Sequence, residues 1–141
     1  MPAQNCLRNM DEELSRDNLP RGWSLARWDA AKHEVRSVIW RTGELNQLVS
    51  YKGLSLQLKA EPIYWQSAVL RGVLNEIATD ERARGGPWVT AIVVRSGSTL
   101  PGEGFFKLVP EREWSVAGRL AFTKNQQALA MDWISRHPDV A

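Results

Sequence analysis

The sequence predicts an α+β fold that is mostly helical, with a short β-hairpin set late among the helices. Three features of the chain lead there. Apolar residues recur at three- and four-residue spacing from Leu25 to Ile39 and again from Ile63 to Ile77. A run rich in β-branched residues, Trp88–Arg95, follows the helix stop Gly85-Gly86-Pro87. A second short apolar run, Phe105–Val109, comes back after a loop containing glycines and a proline.

Taken in order, residues 1–20 are polar, close on Asn18-Leu19-Pro20, and read as an arm; residues 21–141 read as one domain. Ser24 is placed to cap a first helix in which Leu25, Trp28, Ala31, Val35, Val38 and Ile39 share a face, and Gly43 is expected to end it. Leu48-Val49-Ser50 reads as extended, with Ser50 capping a short helix over Tyr51–Lys59. Glu61-Pro62 breaks that helix, because the residue before a proline avoids the α region. A longer helix is expected over 63–84, with Ile63, Leu70, Val73, Leu74 and Ile77 as its apolar stripe. Trp88–Arg95 is expected as a strand, Ser96–Gly104 as a loop, and Phe105–Val109 as a second strand. The tail, Glu111–Arg136, returns to helix, with Trp114, Ala117, Leu120, Ala121, Leu129, Met131 and Trp133 available for packing and Thr123-Lys124-Asn125 as a point of interruption.

A helix, a turn, a second helix and then a two-stranded hairpin is the order of a winged helix-turn-helix, here with a further C-terminal helix. In that motif the second helix enters the major groove of DNA, and the hairpin, or wing, lies beside a phosphate backbone. The expected reading surface is therefore helix 63–84 and the wing 95–105.

Composition narrows the function classes. At 141 residues, with 43% hydrophobic and 24% charged side chains, the chain has the size and make-up of one globular domain. A single cysteine, Cys6, rules out an internal disulfide, and His33 and His137 stand too far apart to suggest a zinc site. The first 20 residues lack an apolar signal segment, and no apolar run approaches the ~18 residues of a membrane span. A cytoplasmic protein with no membrane association and no cofactor is expected. The net charge is only +2, yet residues 21–60 hold seven basic side chains (Arg21, Arg27, Lys32, Arg36, Arg41, Lys52, Lys59) against three acidic ones (Asp29, Glu34, Glu44). A local excess of that kind suits a phosphate-facing surface, and equally a solvated helix face. The seven tryptophans are spread along the chain and read as packing residues.

Two stretches carry a family resemblance. Leu48-Val49-Ser50-Tyr51-Lys52-Gly53-Leu54-Ser55-Leu56, with Ala68-Val69-Leu70-Arg71-Gly72-Val73-Leu74 after it, resembles the DNA-binding half of the alkylguanine-DNA alkyltransferases and their alkyltransferase-like relatives. Pro87-Trp88-Val89-Thr90-Ala91-Ile92-Val93-Val94 and Pro101-Gly102-Glu103-Gly104-Phe105-Phe106 resemble the Pro-x-x-[Ser/Thr]-Ala-x-Val-Val and Pro-Gly-x-Gly-Phe-Phe segments of an uncharacterised group of small bacterial proteins and domains. The first resemblance implies a winged-helix DNA binder. It stops short of alkyl transfer, since the family's reactive Pro-Cys-His-Arg element is replaced by Thr90-Ala91-Ile92-Val93 and no histidine stands ready to activate a thiol.

Other chemistry finds little footing. No phosphate-cradling glycine-lysine loop is present, and Gly102-x-Gly104 reads as turn glycine. Glu76, Asp80 and Glu81, with Glu103 apart from them, are the acids a metal-dependent nuclease would draw on, and they also fit as solvated charges at a helix end. The expectation is a non-enzymatic double-stranded DNA-binding protein, a regulator or accessory factor. Tyr64, Gln66, Ser67, Arg71 and Asn75 are the candidate groove readers: arginine suits guanine, and asparagine or glutamine suits adenine. Lys52, Lys59 and Arg41 are the candidate phosphate anchors, and Arg95 and Ser98, with Ser96 and Thr99, the candidate wing donors. Gly72 and Ala68 would allow close approach to the groove, unless that face packs inside the protein. A protein-interaction module on the same fold is the alternative, a nuclease subunit a weaker one, and a homodimer through the terminal helix is compatible with either.

Overall fold

A computed structural model describes residues 13–109 and 115–138; Cys6 and Trp114, named above, lie outside the described residues. The fold is α+β and mostly helical. Helix α1 spans Leu25–Glu44, strand β1 Val49–Ser50, helix α2 Tyr51–Leu56 and helix α3 Ala68–Ala83. A 3-10 helix over Val89–Ile92 leads into strand β2, Val93–Val94; helix α4 spans Glu103–Leu108 and helix α5 Val116–Arg136. None of the described helices is long and apolar enough to cross a membrane.

Serine caps begin the four helices that open on one. Ser24, Ser50, Ser67 and Ser115 accept hydrogen bonds from the backbone N–H groups of Arg27, Gly53, Leu70 and Gly118, which the first helical turn leaves without partners. The cap on Ser67 corrects the expected helix 63–84. Residues 63–67 form the turn before α3, so Tyr64, Gln66 and Ser67 precede the helix. The short helix after Ser50 likewise ends at Leu56, before Lys59. Residues 57–67 separate α2 from α3, a longer connection than the tight turn of a helix-turn-helix.

The expected hairpin is not formed. Residues 89–92 are 3-10 helical, and only Val93 and Val94 are extended. Their strand pairs in parallel with β1, Val49 opposite Val93 and Ser50 opposite Val94. Phe105–Val109, expected as the return strand, lies mostly in α4. The physical reason is burial: every residue from Trp88 to Val94 is buried, so the run has no solvent face to alternate with. In α4, Phe105 and Phe106 are buried, and Val109 follows one helical turn after Phe105.

The main core is built by α1 and α3 with the 3-10 segment and α5. Trp28, Val35, Ile39, Leu70, Val73, Ile77, Ile92 and Ile134 meet there, all nearly inaccessible to solvent. A smaller cluster of Ala78, Trp88, Ala91, Phe105, Phe106 and Val109 ties α4 to this core. Helix α5 runs without interruption through Thr123-Lys124-Asn125. Its buried face is partly polar (Thr123, Gln126, Gln127, Ala130, Ile134), while Leu120 and Leu129 are exposed. Gly43 does not terminate α1. It lies within the helix, where an added Cβ would stand 2.4 Å from Ile134, and it lets α5 cross closely. The chain leaves α1 through Asn46 instead, at φ +54°.

Candidate functional site

The β1–β2 register builds the site. Ser50 is opposite Val94, so the residues that follow them, Tyr51 and Arg95, emerge beside one another at the same end of the two strands. Both line a pocket of about 500 Å³. The turn before α3 adds Trp65, Gln66 and Ser67; the first two turns of α3 add Leu70, Arg71, Leu74 and Asn75. Thr90 lies in the wall, and Gly102, Glu103, Gly104 and Phe105 close the far side from the start of α4.

Loop 95–102 is held in shape from within. The N–H of Arg95 donates to the Leu100 carbonyl at 2.9 Å, and the N–H of Ser98 donates to the Arg95 carbonyl at 3.0 Å. The hydroxyl of Ser98 accepts from the N–H of Leu100 at 3.0 Å. From below, the Tyr51 hydroxyl accepts from the N–H of Gly102 at 2.8 Å. Burial pushes the Tyr51 phenol above its ordinary value, opposed by that bond and by nearby Arg95. The ring is thus a neutral strut between α2 and the loop.

Charge at the rim is uneven. Arg71 is exposed, and its Nε donates to Glu13 at 3.0 Å. Its aliphatic stem passes close to Gly104, where a Cβ would stand 3.2 Å from Arg71 Cδ. Glu103 is engaged by Arg119 at 2.6 and 3.2 Å, and that bidentate contact holds its carboxyl below the usual range. The Arg95 side chain makes no hydrogen bond or ion pair among the described residues and is exposed. Among the described residues no carboxylate forms an ion pair with it, although its charge acts on nearby Tyr51 and Glu103. The pocket therefore combines aromatic and aliphatic walls, amide groups from Gln66 and Asn75, and two guanidinium groups. Its volume lies in the range of pockets that enclose small ligands.

Of the residues singled out from sequence, Gln66, Ser67, Arg71, Asn75 and Arg95 come together in this one pocket. Tyr64, Lys52, Lys59 and Ser98 do not line it, though all four are exposed. The Tyr64 hydroxyl donates to Gln66 Oε1 at 3.1 Å, and the backbone N–H of Lys59 is held by Glu34. Gly72 does not face outward: a Cβ there would stand 2.3 Å from the carbonyl oxygen of Leu14 and 3.1 Å from Trp28. The face of α3 around it is covered by residues 13–16, not by the terminal helix. The acids read as nuclease candidates are each engaged by cations. Lys32 lies between Glu76 (3.1 Å) and Asp80 (2.6 Å), and Glu81, almost fully buried, meets Arg84 at 3.0 Å and the Trp133 indole N–H at 3.1 Å. Among the described residues no three His, Cys, Asp or Glu side chains stand together as metal ligands would.

Sequence reasoning missed Tyr51, Trp65, Thr90 and Phe105 as lining residues. Only the register of the parallel strands brings Tyr51 to Arg95, and a two-residue ladder leaves no period in the sequence to find. No family model, curated protein or solved structure matches the chain.

Proposed function

We propose that the protein binds double-stranded DNA without chemistry of its own, as a regulator or accessory factor. The observation that supports this most is the gathering of Gln66, Ser67, Arg71, Asn75 and Arg95 around one pocket, with Gln66, Arg71 and Arg95 exposed. Gly72, Val73 and Leu74 are buried, so near the start of α3 the exposed groups come from its first turn and from the turn before it. Recognition helices commonly reach base edges with their N-terminal residues, and Tyr64, Gln66 and Arg71 are exposed at that end. In this reading α2 and α3 take the place of a helix-turn-helix pair despite the longer connection 57–67, and loop 95–102 takes the wing's place on the phosphate backbone with Arg95 and Ser98. Lys52 on α2 and Lys59 after it anchor flanking phosphates.

Fluorescence anisotropy of labelled duplexes of about 25 base pairs, titrated at low and moderate salt, tests the reading. Binding should fall steeply with salt as counterions are released. Arg71→Ala and Arg95→Ala should each weaken it, and loss of one phosphate contact should reduce the salt slope by about 1. Absence of binding at low salt would overturn the DNA reading and favour a protein-interaction module.

A further inference from the structure

The pocket, at about 500 Å³, is large enough to hold an occupant of its own. We propose that it binds a free nucleoside monophosphate, or a ligand of the same chemistry, independently of any duplex contact. The size fits: about 500 Å³ lies within the range that encloses small ligands. The walls fit as well. Trp65, Tyr51 and Phe105 offer aromatic surface to a flat base, and Asn75 and Gln66 carry amides that both donate and accept along a heteroaromatic edge. Arg71 and Arg95, both exposed, add to the lining two guanidinium groups that a phosphate can engage.

A second observation shows that Arg71 takes an anionic partner. The chain's own Glu13 carboxylate already sits on Arg71 Nε at 3.0 Å, as a phosphate oxygen would. Arg95 has no such partner among the described residues, and the one carboxylate in the lining, Glu103, is committed to Arg119. A dianionic phosphate on Arg71 would displace Glu13, whose exposed ion pair is weak, and Arg95 offers it a second guanidinium in the same lining.

Isothermal titration of the intact chain with the four ribonucleoside 5′-monophosphates, in the absence of DNA, tests this. At least one should bind with a Kd at or below about 100 µM. Its nucleoside and inorganic phosphate alone should each bind at least about tenfold more weakly, because each fills half the site. Arg95→Ala, an exposed substitution that leaves the core intact, should weaken the nucleotide about tenfold. Asn75→Leu should weaken the nucleotide and its nucleoside alike, and Lys124→Ala, on the exposed side of α5, should change nothing. No detectable binding of any of the four at millimolar concentration would overturn the proposal. So would binding indifferent to Arg95→Ala and Asn75→Leu, or binding of a single-stranded trinucleotide alone. Because no duplex is present, these outcomes leave the DNA reading standing, and failure to bind duplex leaves this one standing.

Discussion

Gln127 of α5 donates its side-chain amide to two carbonyls at once, that of Ala91 at 3.0 Å and that of Thr99 at 2.9 Å. One buried side chain from the last helix thus holds both the 3-10 segment under the pocket and the loop that carries Arg95. Gln126 beside it accepts from the N–H of Trp88 at 2.8 Å. These two glutamines supply hydrogen-bond partners to a buried segment that forms only two ladder residues. Gln127→Ala should leave the Ala91 carbonyl unsatisfied and destabilise the fold by about 2 kcal/mol. Gln127→Glu, nearly isosteric but with no donor, should cost at least as much. Urea denaturation measures both, and a midpoint unchanged by either would remove the clamp from the account.

Gly72 sets two effects of opposite sign against each other. In an unconstrained helix, alanine for glycine gains about 1 kcal/mol. Here the new Cβ would stand 2.3 Å from the backbone oxygen of Leu14, which cannot rotate away as a side chain tip can. Overpacking of that kind costs about 1–3 kcal/mol, so Gly72→Ala should be destabilising or neutral, and should release residues 13–16 from α3. Faster proteolytic cleavage near Arg16 in the variant is the expected sign. A clear rise in stability with unchanged cleavage would contradict the packing of Leu14 on α3.

Much of the helical framework was legible because its signals are local. Ser24 and the spacing from Trp28 to Ile39 specify α1, and Ser50 starts α2 as expected. Leu70, Val73, Leu74 and Ile77 are buried as their stripe predicts. The errors fall where tertiary burial outweighs local preference. The β-branched content of Val89–Val94 favours a strand only on a half-buried sheet face, and this segment is enclosed on all sides and bonded to glutamines far downstream. Phe105, Phe106 and Val109 sit at spacings that suit a helix face, yet five residues are too few to separate that from a strand. Ser67, a cap in full view before an apolar run, starts α3 five residues later than the apolar spacing from Ile63 predicts. For the site, the arginines and amides were legible by type; the enclosure around them depends on the parallel register and was not.

Glu13 should act as a brake on duplex binding. Its ion pair with Arg71 is exposed on both sides, so its loss should change stability by less than about 1 kcal/mol. Glu13→Gln removes a negative charge beside a proposed DNA contact and frees the Arg71 fork. Duplex affinity at low salt should rise about two- to fivefold, and the gain should shrink as salt screens the pair. Anisotropy titrations of wild type and variant at two salt concentrations measure it. An affinity that falls in the variant would mean that the pair positions Arg71 for binding instead of competing with it.

Acid should unfold the protein through two carboxylates in particular. Partial burial alone would raise Glu34, but the N–H groups of Lys59, Ala60 and Glu61 converge on it at 2.8, 3.1 and 3.2 Å and outweigh that effect, so its pKa is lowered. Burial is likewise outweighed at Glu76 by the Trp28 indole N–H and the Lys32 ammonium, each at 3.1 Å, together with the backbone N–H of Arg16. The unfolded chain, with carboxylates near the ordinary value of about 4.3, then binds protons that the folded chain does not. Both contributions are complete above about pH 5 and are lost as pH falls through the depressed folded values. Glu34→Gln and Glu76→Gln should each lower stability at neutral pH and flatten the loss between about pH 5 and pH 3. Urea midpoints across that interval measure the slope. Variants that are less stable at neutral pH yet keep the wild-type slope would show that these contacts act through packing alone.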